Sequence, residues 1–435
     1  MADVRGTEPP AAKRDAESPA DIERMMEAVC SGENLRKALK QVQANKGSAG
    51  VDGMTVKQLP TYLARQWPAI REQLLQGTYR PQPVKRVEIP KPGGGVRKLG
   101  IPTVLDRLVQ QAVMQVLQGQ WDRTFSPHSY GFRPGRSAHQ AVAAAQQHAA
   151  DGYRWVVDID LEKFFDRVNH DRLMASVAKR VADKRLLRLI RAFLNAGVME
   201  NGLVSPTDEG TPQGGPLSPL LSNLVLDELD RELDRRGHRF VRYADDCNIY
   251  VQSERAGKRV MESVGNFITR KLKLKVNAAK SAVARPWERK FLGFRFGQSP
   301  RAPRWLAPQT IRRFRQSVRA MTGRMSGRSL AAMIGPLGRY LKGWRAYFGF
   351  CQTPWELGNL DGWVRRRIRC MAWKQWATPR NRYRQLVSRG VPGVLAACTI
   401  RTAHGPWRLS RSVVMSKAMP ASVLSALGLP TIEAR

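Results

Sequence analysis

Two adjacent carboxylates, Asp245 and Asp246, close the tetrapeptide Tyr243-Ala244-Asp245-Asp246, with Phe240-Val241 before it and Ile249-Tyr250-Val251 after it. Short β-rich runs around an acidic turn read as a β-hairpin carrying two anions at its tip. Like charges that close disfavour each other's ionisation unless a cation lies between them, so the pattern points to a metal holder. For an isolated Asp-Asp pair a solvated surface turn would be the plainer explanation. A second acidic strand upstream and a basic chain everywhere else weigh against it.

The formal net charge is +37 and the pI about 11.0, which makes a polyanion the default partner. Nucleic acid ranks ahead of a membrane surface, because no apolar run approaches transmembrane length and the N-terminus lacks a signal-peptide core. Cys30, Cys247, Cys351, Cys370 and Cys398 are scattered with no CxxC pair, which argues against a disulfide framework and a structural zinc site. The six histidines form no ligand-spaced cluster. Between Arg301 and Arg435 there are 25 Lys/Arg against three acids, together with seven of the eleven Trp. Cations interleaved with aromatics suit a surface that tracks phosphates and stacks on unpaired bases.

At 435 residues, two to four units are expected. Residues 1–28 read as a disordered tail. A helical pattern at 22–42 gives way to the Gly-rich segment Asn45 to Gly53. Val84, Val87, Ile89 and then Val96, Leu99, Ile101 flank Gly93-Gly94-Gly95 as the arms of a basic hairpin. A helix over 105–117 and another N-capped by Ser137 follow. Over 154–160 a strand puts Val156, Asp158 and Asp160 on one face. Residues 216–235 form a helix with a Leu/Val stripe, 258–274 another, 291–296 a short strand, and 310–323, 328–349 and 356–376 three basic helices. The fold class is α+β followed by an all-helical module.

Placing the Asp160 strand beside the acidic hairpin gathers three carboxylates, Asp160, Asp245 and Asp246, enough for a pair of Mg²⁺ ions that also bind substrate phosphates. Two such ions activate a hydroxyl and stabilise a departing pyrophosphate. The sequence holds no Gly-x-Ser-x-Gly elbow and no Walker A loop, so metals and positioning carry the chemistry.

These residues resemble a group II intron-encoded reverse transcriptase/maturase of the bacterial kind, from about Asn45 to about Trp376. Asn45 to Gly53 is similar to the family's N-terminal block. Ile89-Pro90-Lys91-Pro92 through Arg97, Ile101-Pro102-Thr103, Asp106-Arg107 and Gln110 resemble the fingers hairpin and its helix, which implies that Lys91 and Arg97 contact the incoming triphosphate. Ser129 to Ser137 resembles the second fingers block, implying Arg133 and Arg136 for template or nucleotide. Asp160 to Asp166 resembles the first catalytic block. The likeness makes Asp160, the Leu161 carbonyl and Asp245 the metal ligands, with Asp246 assisting, and Phe165 the ring that rejects ribonucleotides; strand geometry leaves Asp158 open as a ligand.

Gly210 to Pro219 resembles the nucleotide-pocket block, in which glycines let the backbone approach the base pair and Gln213 touches the nucleotide. Leu274 to Ser281 resembles the block whose Lys protonates pyrophosphate, here Lys280. Phe291-Leu292-Gly293-Phe294 resembles the turn that grips the primer, and Gly343 to Phe348 with Leu360 to Arg367 the maturase-specific thumb. The resemblance implies a right-hand polymerase: N-terminal extension and fingers over 29–153, palm over 154–300, helical thumb over 301–378, and a basic nucleic-acid-binding segment over 379–435.

The implied activity is RNA-directed DNA polymerisation with two Mg²⁺, for which Mn²⁺ can substitute, coupled to splicing of the intron RNA and its copying at a DNA target. Implied partners are intron RNA, an RNA template with DNA primer, target DNA and deoxynucleoside triphosphates, in a ribonucleoprotein of the bacterial cytoplasm. No His- and Cys-bearing endonuclease domain precedes Arg435, so an existing 3′ end is expected to prime. Two rival readings are a stand-alone reverse transcriptase of defence, retron, CRISPR-associated or repair type, separable by gene context, and a non-catalytic maturase, which gains nothing from three clustered aspartates beside RNA.

Overall fold

The computed structural model describes residues 24–90, 95–200, 203–205, 210, 214–323 and 327–433. Ten strands are described: β1 (Val84–Pro90), β2 (Val96–Ile101), β3 (Trp155–Ile159), β4 (Val198–Glu200), β5 (Leu203–Ser205), β6 (Arg239–Tyr243), β7 (Asp246–Val251), β8 (Ala282–Ala284), β9 (Phe294–Phe296) and β10 (Arg304–Leu306). They form a β2-β1-β4-β5 sheet, a β6-β7-β3-β8 sheet and a β9-β10 ribbon. The expected basic hairpin is β1 against β2, with Ile89 opposite Arg97. The acidic hairpin is β6 against β7, with Tyr243 opposite Asp246. β3 runs antiparallel beside β7 in the same sheet.

Strand alternation distributes that second sheet between two cores. Val157 and Ile159 of β3, Phe240 of β6 and Cys247, Ile249 and Val251 of β7 face a first core. This core is filled by helices Val104–Trp121, His170–Ala178, Lys184–Leu194 and Ser218–Arg235. Val156, Val241 and Tyr250 face a second core, made with Ala141, Val142 and Ala145 of helix Ala138–Ala150 and with the C-terminal helices. Those helices are Pro308–Met321, Leu330–Phe348, Pro354–Gln375, Pro379–Val387, Gly393–Arg401, Pro406–Leu409, Val413–Ala418 and Ala421–Ala426. The second core runs without a break from β3 to Ile432.

Local signals explain the element ends. Ser137 accepts from the Gln140 backbone N–H while the Gln140 side chain accepts from Ser137 N–H, a complete capping box. Asp106, 1% exposed, accepts from Tyr79 Oη at 2.8 Å, Thr103 Oγ1 at 2.7 Å and Gln82 N at 3.1 Å, tying the chain before β1 to the helix after β2. Several expectations change. The tail expected over 1–28 lies outside the described residues as far as 23. From Met25 the chain is helical, because Met25, Met26 and Val29 are buried in the first core. The strand expected over 291–296 is shorter: Phe291 and Phe294 exchange backbone hydrogen bonds in a tight turn, and only 294–296 pair with β10. The helix expected over 258–274 lies at Glu254–Arg270, where the Ser253 hydroxyl caps it. Helix Leu59–Gln76, absent from the sequence reading, carries Pro68 in its interior.

The tryptophans of the basic module are mostly packed, not displayed. Trp344, Trp373 and Trp376 are buried, and Arg315, Arg319 and Arg367 surround the Trp363 ring. Arg366 lies 3.9 Å over Trp407. Guanidinium groups cover the rings while their charge stays near solvent, which spends the aromatic surface on the fold. Trp355, 65% exposed, is the exception among the expected stacking residues.

The N-terminal helices are pinned by Asp183, whose carboxylate accepts from Met26 N at 3.0 Å and Arg185 Nη2 at 2.9 Å. Burial alone would raise this carboxyl, but the Arg185 and backbone donors overcome it and hold it below its ordinary value. A depressed carboxylate contributes stability that is present above its unfolded pKa and lost as pH falls through the folded one. The acid limb of a thermal-stability profile should therefore flatten in Asp183→Asn, with lower stability at neutral pH; an unchanged acid limb would contradict the assignment.

Candidate catalytic site

The acidic hairpin tip is shaped by an arginine beneath it. Arg242 sits on β6 in register with Cys247, on the face that carries Phe240, and is fully buried. Its guanidinium forms an ion pair with Asp230 at 2.5 Å, both side chains being 0% exposed. The remaining donors go to Asn223 Oδ1 at 3.1 Å, Ser129 Oγ at 2.8 Å and the Ala244 carbonyl at 2.9 Å. Ala244 adopts φ 55°, a left-handed conformation uncommon outside Gly, Asn and Asp. The Arg242 donor therefore holds the turn that aims Asp245. Gly131 closes it from the other side: a Cβ there would meet Ala244 N at 2.3 Å, and its carbonyl accepts from Asn223 Nδ2 at 2.9 Å.

The acids gather at one end of the sheet. Ile159 pairs with Cys247 and Asp158 with Asn248, so the register carried one step further sets Asp160 abreast of Asp246. Burial raises the Asp245 carboxyl and Asp160 adds to the rise, while Arg97 and Arg242 oppose it. Asp246 is pushed up to about 6, first by burial and then by Asp245, Asp158 and Asp160. Arg97, from the β1–β2 hairpin, thus faces the acids. Lys280 Nζ is 3.7 Å from Asp160 Oδ1. Asp158 is raised by burial but is tied to Arg289, with Nη2 to Oδ2 at 2.6 Å.

Among the described residues no three His, Cys, Asp or Glu side chains converge closely enough to hold a metal ion. The three aspartates thus do not close on one point. Asp245 lies in the turn shaped by Ala244, whereas Asp246 opens β7, so the two carboxylates start from different backbone settings. Two carboxylates with a backbone carbonyl are a smaller demand. Leu161 stands opposite Val276, with Asp160 O and Glu162 N making the hydrogen bonds to that segment, so its own carbonyl points away from it. Hard oxygen donors among carboxylates that repel one another fit a divalent cation of the Mg²⁺ kind.

Other sequence candidates divide. Phe165 is half-buried in the turn Phe164–Asp166, edge-on to Phe164 at 5.3 Å. Lys91 and Gln213 lie outside the described residues. Arg133 is a correction: 8% exposed, it donates to Asp122 Oδ1 at 2.8 Å and to the carbonyls of Asp122, Ser126 and Ser129, which leaves no donor for template or nucleotide. Arg136 is half-buried, donating to the Pro127 carbonyl at 2.8 Å over the Tyr130 ring. The glycine following Gln213 has a different duty from the one expected, since a Cβ at Gly214 would lie 2.5 Å from the Gly100 carbonyl at the end of β2. The close approach there is to polypeptide. Arg242, Asp230 and Asn223 were missed, although an arginine alternating with Phe240 onto a core face signals a buried acid.

Residues 89–296 match the reverse transcriptase (RNA-dependent DNA polymerase) family, and residues 311–390 match the group II intron maturase-specific domain. The chain thus carries a reverse transcriptase region followed by a group II intron maturase-specific region. It is 39% identical over 221 residues to Protein YkfC of Escherichia coli, covering 49% of this chain and 58% of that protein. To the group II intron-encoded protein LtrA of Lactococcus lactis subsp. cremoris it is 38% identical over 195 residues, 45% of this chain and 32% of LtrA. The chain thus spans little more than half of one relative and a third of the other. Among solved structures, a partial Cas6-RT-Cas1–Cas2 complex aligns with 56% of this chain and 42% of its own at 24% identity and a TM-score of 0.37.

The buried pair beneath the hairpin sets a stability test. Arg242→Met leaves the Asp230 charge unpaired and should cost about 3–5 kcal/mol in denaturant unfolding. Adding Asp230→Leu should recover most of that loss; a double variant no better than the single one would show that the pair is not the source.

Proposed function

We propose that this chain is an RNA-directed DNA polymerase of a group II intron that also binds its intron RNA to assist splicing and copies it at a DNA target. The observation that carries the reading is the acidic end of the β3–β7 sheet, faced by Arg97, in a chain of net charge +37. No helix among the described residues is long and apolar enough to cross a membrane. The maturase-specific match over 311–390 favours the intron reading over a stand-alone enzyme. The proposed partners are intron RNA, an RNA template with a DNA primer, target DNA and deoxynucleoside triphosphates, in a ribonucleoprotein of the bacterial cytoplasm. The proposed division is fingers over 29–153, palm over 154–300, thumb over 301–378 and a basic segment over 379–435.

Asp160, the Leu161 carbonyl and Asp245 would hold Mg²⁺, with Asp246 adding negative charge beside them. The ion pair that occupies Asp158 supports Asp160 as the β3 ligand. Bound as a pair, such ions supply Lewis acidity to the primer 3′-hydroxyl and to the leaving pyrophosphate. The chain does the rest by position. Arg97, with Lys91, takes up triphosphate charge. Phe165 closes the sugar's 2′ side, Gln213 touches the nucleotide, and Lys280, beside Asp160, is placed to protonate pyrophosphate.

Asp245→Ala should reduce primer extension on an RNA template to background while leaving RNA affinity nearly unchanged; unimpaired extension would refute the metal assignment. The exposed cations Arg312, Arg313, Arg339 and Lys342 of the maturase-specific module supply a second test. Replacing all four with Gln should lower the slope of log affinity against log salt by about 0.7–0.9 for each phosphate no longer neutralised. A slope equal to the wild type would remove this module as an RNA surface.

A further inference from the structure

Gly210 is pinned by a histidine outside every motif discussed above. His170, 2% exposed, opens helix His170–Ala178 behind the Asn169 cap. Its Nε2 lies 2.6 Å from the Gly210 carbonyl and its Nδ1 faces the Asn195 side-chain amide, with Oδ1 3.2 Å away. A carbonyl can only accept, so Nε2 carries the proton and donates it. Gly210 N–H donates to the Val168 carbonyl at 2.8 Å, so both of its backbone polar groups are fixed by the segment that follows Phe165. With φ 94°, Gly210 also presses on that segment: a Cβ there would lie 2.9 Å from the Phe165 carbonyl and 3.0 Å from Asp166 Cα. Gly214 in turn abuts Gly100 of β2, the strand that carries Arg97.

We propose that His170 is a positioning residue for the nucleotide pocket: its hydrogen bond holds Gly210 against the Phe165–Asp166 turn and so sets how closely the Phe165 ring fits the sugar of an incoming nucleotide. The proposal rests on the polymerase reading given above. No bond is made or broken by the ring; it fixes a backbone carbonyl whose neighbours approach substrate. Without it, Gly210 keeps one of two anchors, the buried carbonyl loses its partner, and the Phe165–Asp166 turn loses a fixed neighbour.

The test is primer extension by the full-length protein on an RNA template, with KM and kcat measured for a deoxynucleoside and for a ribonucleoside triphosphate. His170→Phe keeps an aromatic ring and removes both nitrogens. It should raise KM for the deoxynucleotide about tenfold, the size of one lost buried hydrogen bond, and weaken discrimination against the ribonucleotide. Template–primer affinity should stay within about twofold of wild type, because the substitution is buried and leaves the exposed cations of the helical module untouched. His170→Gln, whose amide can donate where Nε2 does, should restore KM and discrimination together. Asn195→Ala, which removes the other partner of the ring, should shift KM in the same direction and serves if the Phe variant does not fold. KM and discrimination equal to wild type in His170→Phe would overturn the proposal. So would a uniform loss of kcat, template–primer affinity and melting temperature that His170→Gln does not reverse, since that is a fold defect. Absence of extension by the unmodified protein would instead overturn the polymerase reading, and the proposal with it.

Discussion

An arginine locked away from water determines the shape of the acidic hairpin. Removing a guanidinium and a carboxylate from solvent is costly, and the cost is recovered only when geometry is good and every other donor is satisfied. Arg242 meets both conditions through Asp230, Asn223, Ser129 and the Ala244 carbonyl. A network this complete has one arrangement, and that arrangement forces Ala244 into its left-handed conformation. The strained turn, the direction of Asp245 and the fit of Gly131 against it all follow from it. Helix Ser218–Arg235 supplies both Asn223 and Asp230, so a helix with no visible chemistry acts as the mould for the tip.

Much of the architecture could be read from patterns with a physical period. The β6–β7 hairpin, the β3 strand with its paired acids and the Ser137 cap follow from alternation and capping chemistry, which are local properties of the chain. The bounds of the Leu-striped helix near 218–235 followed from its 3.6-residue repeat. The strands β4, β5, β8 and β10 were invisible because each has three residues, too few to display a period. The helical pattern read at 22–42 divides into Gly32–Asn45 and, before it, the short helix Met25–Val29. Its burial depends on helices far along the sequence.

For the site, acid residues stood out and their supports did not. Asp160, Asp245 and Asp246 are conspicuous in a basic chain, and Arg97 does come to face them. Arg133 misled because an arginine in a Gly- and Pro-rich loop looks available; only the fold shows four acceptors waiting for it. Asp158 is tied to Arg289, more than a hundred residues downstream. Charge pairing over such separations leaves no local mark. The same holds for the tryptophans of the C-terminal module, whose rings are spent on the interior under arginine caps.

The second core has a consequence for how the two modules depend on each other. Val156, Val241 and Tyr250 of the sheet share it with Phe314, Leu341, Val364 and the residues that follow as far as Ile432. A chain cut after β10 would present that face of the sheet to water as an adhesive apolar plane, and the detached helices would lose the floor they rest on. The regions that match the reverse transcriptase and the maturase-specific families are therefore not beads on a string. Any lineage that discarded one of them would first have had to repaint the sheet that remained.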